Sequence, residues 1–144
     1  MAASAVQQIL ARIGAALLGA TPAGARVDAD RVDAYSRDEM PALNVVRLDP
    51  EYRAAGHDID EITVRAAVQC YVRGPAWRAD ADALHMAVHA ALFADAVLHT
   101  PARALRCVSS TVQADPGDLA AGVLIAEYTA RVIVARDDHT TPRN

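Results

Sequence analysis

The sequence contains no lysine: all 14 basic residues are arginine, set against 18 acidic residues and a net charge of −4. The charges are interspersed along the chain and form no basic stripe, which argues against a nucleic-acid-binding domain. We therefore expect no direct sequence-specific binding of nucleic acid. Arginine still suits protein–protein contacts, because its planar guanidinium donates several hydrogen bonds in a fixed arrangement.

Aromatic residues are also scarce, at 4% of a chain that is 53% hydrophobic and rich in alanine. Such a composition predicts a core of small aliphatic side chains. A chain of this length folds as one domain that buries roughly 70% of its extended-chain surface, so it requires no disulfide or metal for stability. No apolar run reaches the ~18 residues of a membrane span, and no signal-peptide pattern opens the sequence, so we expect no membrane partner and a cytosolic protein.

Cysteine is limited to Cys70 and Cys107, which lack the Cys-x-x-Cys spacing of a redox or zinc motif. Cys70 falls on the apolar face of a predicted strand, which favours a buried free thiol. A disulfide between the two would need closely spaced Cα atoms, and the sequence leaves that question open.

The clearest pattern that is present is a period of two over the segment 60–73, which predicts a long strand with one apolar and one polar face. Its apolar positions are Ile62, Val64, Ala66, Val68, Cys70 and Val72. Gly74 and Pro75 end this strand. A one-sided helix is predicted next, from about Arg78 or Asp80 to Leu98.

Further elements are predicted on both sides of this strand–helix pair. They are a helix over 3–18, an edge strand or small hairpin within 25–35, strands over 42–48, 104–113 and 122–136, and a connection or turn over 51–58. The fold class is therefore α+β, a mainly antiparallel sheet of about four to five strands with two helices packed on it. Residues 1–136 are predicted to form a single domain, and residues 137–144 a polar, frayed tail.

No catalytic signature and no glycine-rich phosphate loop is found, so we predict no enzyme, no catalytic residue and no cofactor. One alternative rests on His85 and His89, which lie four apart on one helix face and could bind a metal if Asp82, Asp95 or His99 supplied another ligand. A second alternative, a calcium loop among the acidic residues of 28–39, lacks the glycine and terminal glutamate of an EF-hand.

Four charged residues lie on the polar faces of the two longest predicted strands: Glu61, Arg65, Glu127 and Arg131. If those strands are neighbours, the four side chains form a charged cross-strand ladder. Such a ladder is either a solvated sheet face, a subunit contact or the lining of a pore. We take these four residues as the candidate subunit or tube interface.

The order of these elements resembles the tail terminator proteins of long-tailed bacteriophages, the family of the lambda minor tail protein U. The resemblance rests on an N-terminal helix (AVQQILARIGAALL), an acidic loop leading to a Pro-started strand (DEMPALNVVRL), and a long alternating strand (EITVRAAVQCYVRG). It continues through the second helix (ALHMAVHAALFADAVL) to a long terminal strand with a central Tyr128 (AGVLIAEYTARVIV). It spans nearly the whole chain, although no single motif in it is a catalytic signature.

This resemblance implies a structural role in a virion tail that is assembled in the bacterial cytoplasm. Members of the family form a hexameric ring on the end of a completed tail tube, where the ring stops further polymerisation and provides the surface that joins the head. The expected partners are further copies of the chain, the tail tube protein and a head-completion or connector protein. Another head–tail joining or tail-completion protein is the alternative within the same class.

Overall fold

The computed structural model describes residues 2–143. Within these residues the chain forms two α-helices, a short 3₁₀ turn (Arg37–Glu39) and seven strands. The helices are α1 (Ala5–Leu17) and α2 (Trp77–Ala94), and the strands are β1 (Val27–Ala29), β2 (Ala42–Arg47), β3 (Glu51–Gly56), β4 (Ile59–Arg73), β5 (Arg103–Asp115), β6 (Asp118–Ala135) and β7 (Asp138–Arg143).

All of the described strands belong to one sheet, whose central path runs β1-β2-β4-β6-β5. In addition, β3 pairs with β4 beyond the end of β2, and β7 pairs with β6 beyond the end of β5. Every pairing is antiparallel except that of β1 with β2. The α+β class and the mainly antiparallel sheet are therefore confirmed, whereas the predicted four to five strands are too few.

The core lies between the two helices and one face of the sheet. On β4 the predicted apolar positions are all buried, and Val68 and Cys70 are fully inaccessible to solvent. The matching positions of β6 are also buried, among them Tyr128 at its centre. The helices cover this face with apolar stripes that include Ile9, Ile13, Leu84, Val88 and Leu92. None of the helices in residues 2–143 is long and apolar enough to cross a membrane.

Two segments predicted to be irregular are strands, and both of those predictions are wrong. Residues 51–56 form β3, which pairs with β4 although every one of its residues is exposed. The segment 137–144, predicted as a frayed tail, contains β7, which pairs with β6 and whose Thr140 carbonyl accepts a hydrogen bond from Gln8 of α1. Neither strand has an apolar alternation, because each lies at the margin of the sheet, outside the apolar core.

The second helix ends earlier than predicted, at Ala94 instead of Leu98. Asp95 leaves the helical conformation, and its carboxylate accepts hydrogen bonds from the Leu98 amide (2.7 Å) and from Arg12 Nε of α1 (3.0 Å). Leu98 nevertheless lies in the core. The apolar spacing that suggested a longer helix therefore identified a buried residue correctly but not its backbone conformation.

The other face of the sheet is partly covered by the loop that joins β1 to β2. Tyr35 of this loop is buried and packs against Tyr71 of β4, with ring centroids 4.8 Å apart. Asn44 of β2 donates to Gln69 of β4 and to the Arg31 carbonyl beneath the same loop. Only this end of the polar face is sheltered by the loop, which leaves the charged end of β4 and β6 open.

Candidate functional site

The polar face of β4 and β6 brings together the four charged residues that the sequence singled out. In the β4–β6 register, Arg65 lies opposite Thr129, and Arg131 lies opposite Thr63. The Arg65 guanidinium donates two hydrogen bonds to Glu127 Oε1, from Nη2 at 2.7 Å and from Nε at 3.0 Å. The cross-strand ladder predicted from strand alternation is thus present, and its ion pairs join residues that are diagonal neighbours on β4 and β6.

The second pair of the ladder is looser. The Arg131 guanidinium lies 4.0 Å from the Glu61 carboxylate, which instead accepts a hydrogen bond of 2.8 Å from Arg53 of β3. The side chain of Arg131 is 52% exposed, whereas that of Glu61 is only 15% exposed. Arg131 is therefore the member of the ladder whose charge is most available to a partner.

The ion pair with Glu127 affects the protonation of Arg65. The hydrogen bonds to Glu127, and then its negative charge, raise the pKa of Arg65. The charges of Glu51 and Asp49 raise the pKa of Arg65 further. Arg65 therefore keeps its charge throughout the physiological pH range.

Two arginines of β5 extend this face, and strand alternation did not predict them. Arg103 lies directly opposite Arg131, and Arg106 lies opposite Thr129, so both share the polar face. They are three residues apart, and strict alternation would have put them on opposite faces. A bulge between them, with Ala104 at a φ of 52°, corrects the register. The signal available in the sequence was charge: residues 96–114 contain these two arginines and no acidic residue.

Like charges directly opposite one another destabilise a sheet. The Arg103–Arg131 pair is such a contact, and the ion pairs found within residues 2–143 do not include Arg103 or Arg106. Arginines outnumber glutamates on this face, although the chain as a whole is acidic. The β5 side of the face therefore presents unneutralised positive charge.

The candidate metal pair, His85 and His89, is placed at the core side of α2 against Tyr128. His85 Nε2 and His89 Nδ1 each lie 3.0 Å from the Tyr128 hydroxyl. A phenol donates one hydrogen bond and accepts others, so it donates to one ring and accepts from the other. Burial, and then the neighbouring His89, lowers the pKa of His85.

These hydrogen bonds give both histidines a structural role, because they join α2 to Tyr128 of β6. Among the described residues, no cluster of three or more His, Cys, Asp or Glu side chains is arranged to hold a metal. Asp95, one of the suggested third ligands, is instead bound to Arg12. His99, another of them, contacts the Leu92 carbonyl at 3.0 Å.

The two cysteines are both free thiols. Cys70 is completely buried, and burial raises the pKa of its thiol to about 12. Cys107 is half-buried at the core side of β5, with its sulfur 4.0 Å from His85 Nε2. Each cysteine therefore belongs to the helix-covered side of the sheet and not to the charged face.

The acidic residues of the β1–β2 loop hold the loop together. Tyr35 donates a hydrogen bond to Asp28 at 2.7 Å, and the Arg47 amide donates to Asp30 at 2.9 Å. Glu39 accepts from Arg31, and hydrogen bonds from the Ser36 backbone, followed by that from Arg31, lower the pKa of Glu39 to about 2. These three carboxylates thus have partners in the loop or in β2, which does not favour the calcium alternative.

Comparison with known proteins adds no assignment: no family model matches the chain, and no curated protein matches it in sequence.

Proposed function

We propose that this protein is a phage or prophage tail terminator, a structural protein that caps a completed tail tube as a ring. The observation that carries the proposal is the order of elements along the chain. The chain forms, in order, a helix, a Pro-started strand, a long alternating strand, a second helix and a long terminal strand centred on Tyr128. The resemblance to that family rests on this order. In this role the ring stops polymerisation of the tube and provides the surface that joins the head.

The open, charged end of the sheet supports this role as a contact surface. Glu61, Arg65, Glu127 and Arg131 lie together on a rigid pair of long strands, and their ion pairs are only partly satisfied within one copy. Closed rings use heterologous contacts between two different surfaces of the same chain. We assign these four residues to the contact with a second copy or with the tail tube.

The first test is the assembly state, measured by light scattering over a concentration series and by negative-stain imaging of the most concentrated sample. We expect six-fold rings, or a monomer that assembles on purified tail tubes and blocks their further growth. A chain that forms no ring and leaves tube elongation unchanged would contradict the proposal. A chain that binds the head side of the connector but not tube ends would support the alternative of another head–tail joining protein.

The metal-binding enzyme alternative has weaker support, because the Tyr128 hydroxyl already contacts one ring nitrogen of each histidine and no third ligand lies beside them among the described residues. Metal analysis of protein purified without a histidine tag tests it. A stoichiometric ion that is lost in a His89→Ala variant would favour the enzyme reading over the structural role.

A further inference from the structure

Two margins of the sheet carry charged side chains of opposite sign that lie outside the ion pairs of the described residues. On one side, β5 has Arg103 and Arg106 on the polar face, both exposed. On the other side, β3 begins at Glu51, which is exposed and is preceded by the exposed Asp49. The ion pairs found within residues 2–143 include neither of these two carboxylates.

These charges are aligned across the sheet. Glu51 lies opposite Thr63, Thr63 opposite Arg131, and Arg131 opposite Arg103, so Glu51 and Arg103 are the two ends of one row. Partners in an antiparallel ladder share a face, so all four side chains are on the polar side. At a strand spacing of about 4.8 Å, the ends of this row are roughly 14 Å apart, too far to pair within one copy.

We infer that the β5 edge of one copy docks against the β3 edge of a second copy, with Arg103 beside Glu51 and Arg106 beside Asp49. This inference rests on the proposed function, in which copies of the chain form a ring, and it names the two surfaces that meet. The occupant of the β5 edge is thus another copy of the same chain.

The strand directions permit this contact. Since β3 is antiparallel to β4, β4 to β6, and β6 to β5, strands β3 and β5 run in opposite directions. A second copy in the same orientation therefore presents β3 antiparallel to the β5 of the first, and the sheet continues across the boundary. The outer edge of each strand has backbone donors and acceptors free for such pairing.

Charge also determines which edges can meet. Two β5 edges would bring Arg103 and Arg106 against arginines, and like charges facing one another are unfavourable, so self-pairing of the β5 edge is opposed. The β3 edge holds the carboxylates of Glu51 and Asp49 together with Arg53, whose guanidinium is bound to Glu61 of its own copy. A β5 edge against a β3 edge is a head-to-tail contact, which closes into a ring when the rotation between copies permits.

The absence of lysine supplies a selective test. Arg103→Lys places the chain's only side-chain amine at the β5 edge, where a zero-length carbodiimide can couple it to a touching carboxylate. We expect a mixture of isotope-labelled and unlabelled protein to yield a crosslink between residue 103 of one copy and Glu51 or Asp49 of another. Arg78→Lys, an exposed position on α2, is the matched control and should give no crosslink to those carboxylates.

Charge reversal gives a second, independent readout. Arg103→Glu alone and Glu51→Arg alone should each weaken assembly at least tenfold in concentration, with circular dichroism spectra like that of the wild type. An equimolar mixture of the two variants should assemble again. Where the two variants alternate, one contact pairs Arg103 with Glu51 as in the wild type, and the next pairs the glutamate introduced at position 103 with the arginine introduced at position 51. The double variant in a single chain should also assemble.

The outcomes separate this contact from the proposed function. Failure of the residue 103 amine to couple to Glu51 or Asp49, or assembly of both single variants as in the wild type, overturns the edge contact even if rings cap tail tubes. A specific crosslink in a chain that neither forms rings nor caps tubes supports the edge contact and contradicts the terminator role.

Discussion

The two faces of the central strand pair follow the same period of two and yet are stabilised in different ways. On the helix-covered face, Val68 and Val132 are inaccessible to solvent and belong to the apolar core, together with the buried Tyr128. On the opposite face, Arg65 and Glu127 keep about a third and a quarter of their side chains exposed while bound to each other. The comparison shows that one strand can supply both the core of the fold and an ordered charged surface.

The comparison is tested most severely by placing the same charge on each face. Val68→Asp puts a carboxylate where there is no partner and no water, at a cost of about 3–5 kcal/mol, out of a total stability of roughly 5–15 kcal/mol. We expect loss of cooperative thermal unfolding, measured by circular dichroism. Thr129→Asp is the matched change on the polar face, between Arg65 and Arg106, and should remain folded. A cooperatively melting Val68→Asp variant would show that the face assignment is inverted.

Close packing on the helix-covered face gives the next largest effect. A Cβ added at Gly122 would meet the ring of Trp77 and would lie 2.7 Å from the Gln113 carbonyl oxygen. We expect Gly122→Ala to lower the free energy of unfolding by about 1–3 kcal/mol and to change the fluorescence of Trp77, the only tryptophan.

Gly14→Ala is the control for that substitution, because nothing lies within 4 Å of the added Cβ in α1. It should instead raise the stability by about 0.5–1 kcal/mol, since alanine is the better helix former. Equal effects of the two substitutions on stability would contradict the packing argument.

A smaller effect concerns pH. The pKa of His85 is lowered from its ordinary value of 6.5, so the unfolded chain takes up a proton at this site more readily than the folded chain. The stability contribution of neutral His85 is therefore complete above pH 6.5 and is lost as the pH falls below that value. His85→Gln should flatten this loss, measured as the difference in urea midpoint between pH 8 and pH 5. An unchanged pH dependence would show that His85 takes up its proton equally well in both states.

The smallest effect on stability is expected at the charged ladder. Arg65→Glu and Arg131→Glu each replace a partly exposed ion pair with two neighbouring carboxylates whose repulsion is screened by solvent. The melting temperature should therefore change little compared with the effect of Val68→Asp. Ring formation or tube capping should nevertheless weaken in both variants. Arg78→Glu, a charge reversal on the exposed side of α2, is the control and should leave assembly unchanged. If all three variants assemble like the wild type, the ladder is not part of the interface.

The sequence predicted the helix-covered face almost residue by residue, because apolar alternation and helical spacing are direct consequences of burial. It did not predict β3 or β7, whose residues are mostly polar or small and lie outside the apolar core. For the candidate site, the ladder of Arg65 and Glu127 followed from alternation, whereas Arg103 and Arg106 did not. A bulge changes which residues share a face, and the pattern of side chains in the sequence does not show where the bulge lies.

The long β4–β6 pairing also affects how the chain reaches this structure. Arg73 of β4 lies opposite Ala121, and Ile59 lies opposite Ala135, so the central ladder joins segments separated by all of α2 and β5. During synthesis from the N-terminus, β4 leaves the ribosome with only β2 and β3 available as partners, and its other edge stays open until β6 emerges. Nonlocal pairing of this kind slows folding. The segment that anchors the finished core is thus also open to mispairing in the nascent chain until β6 has been made.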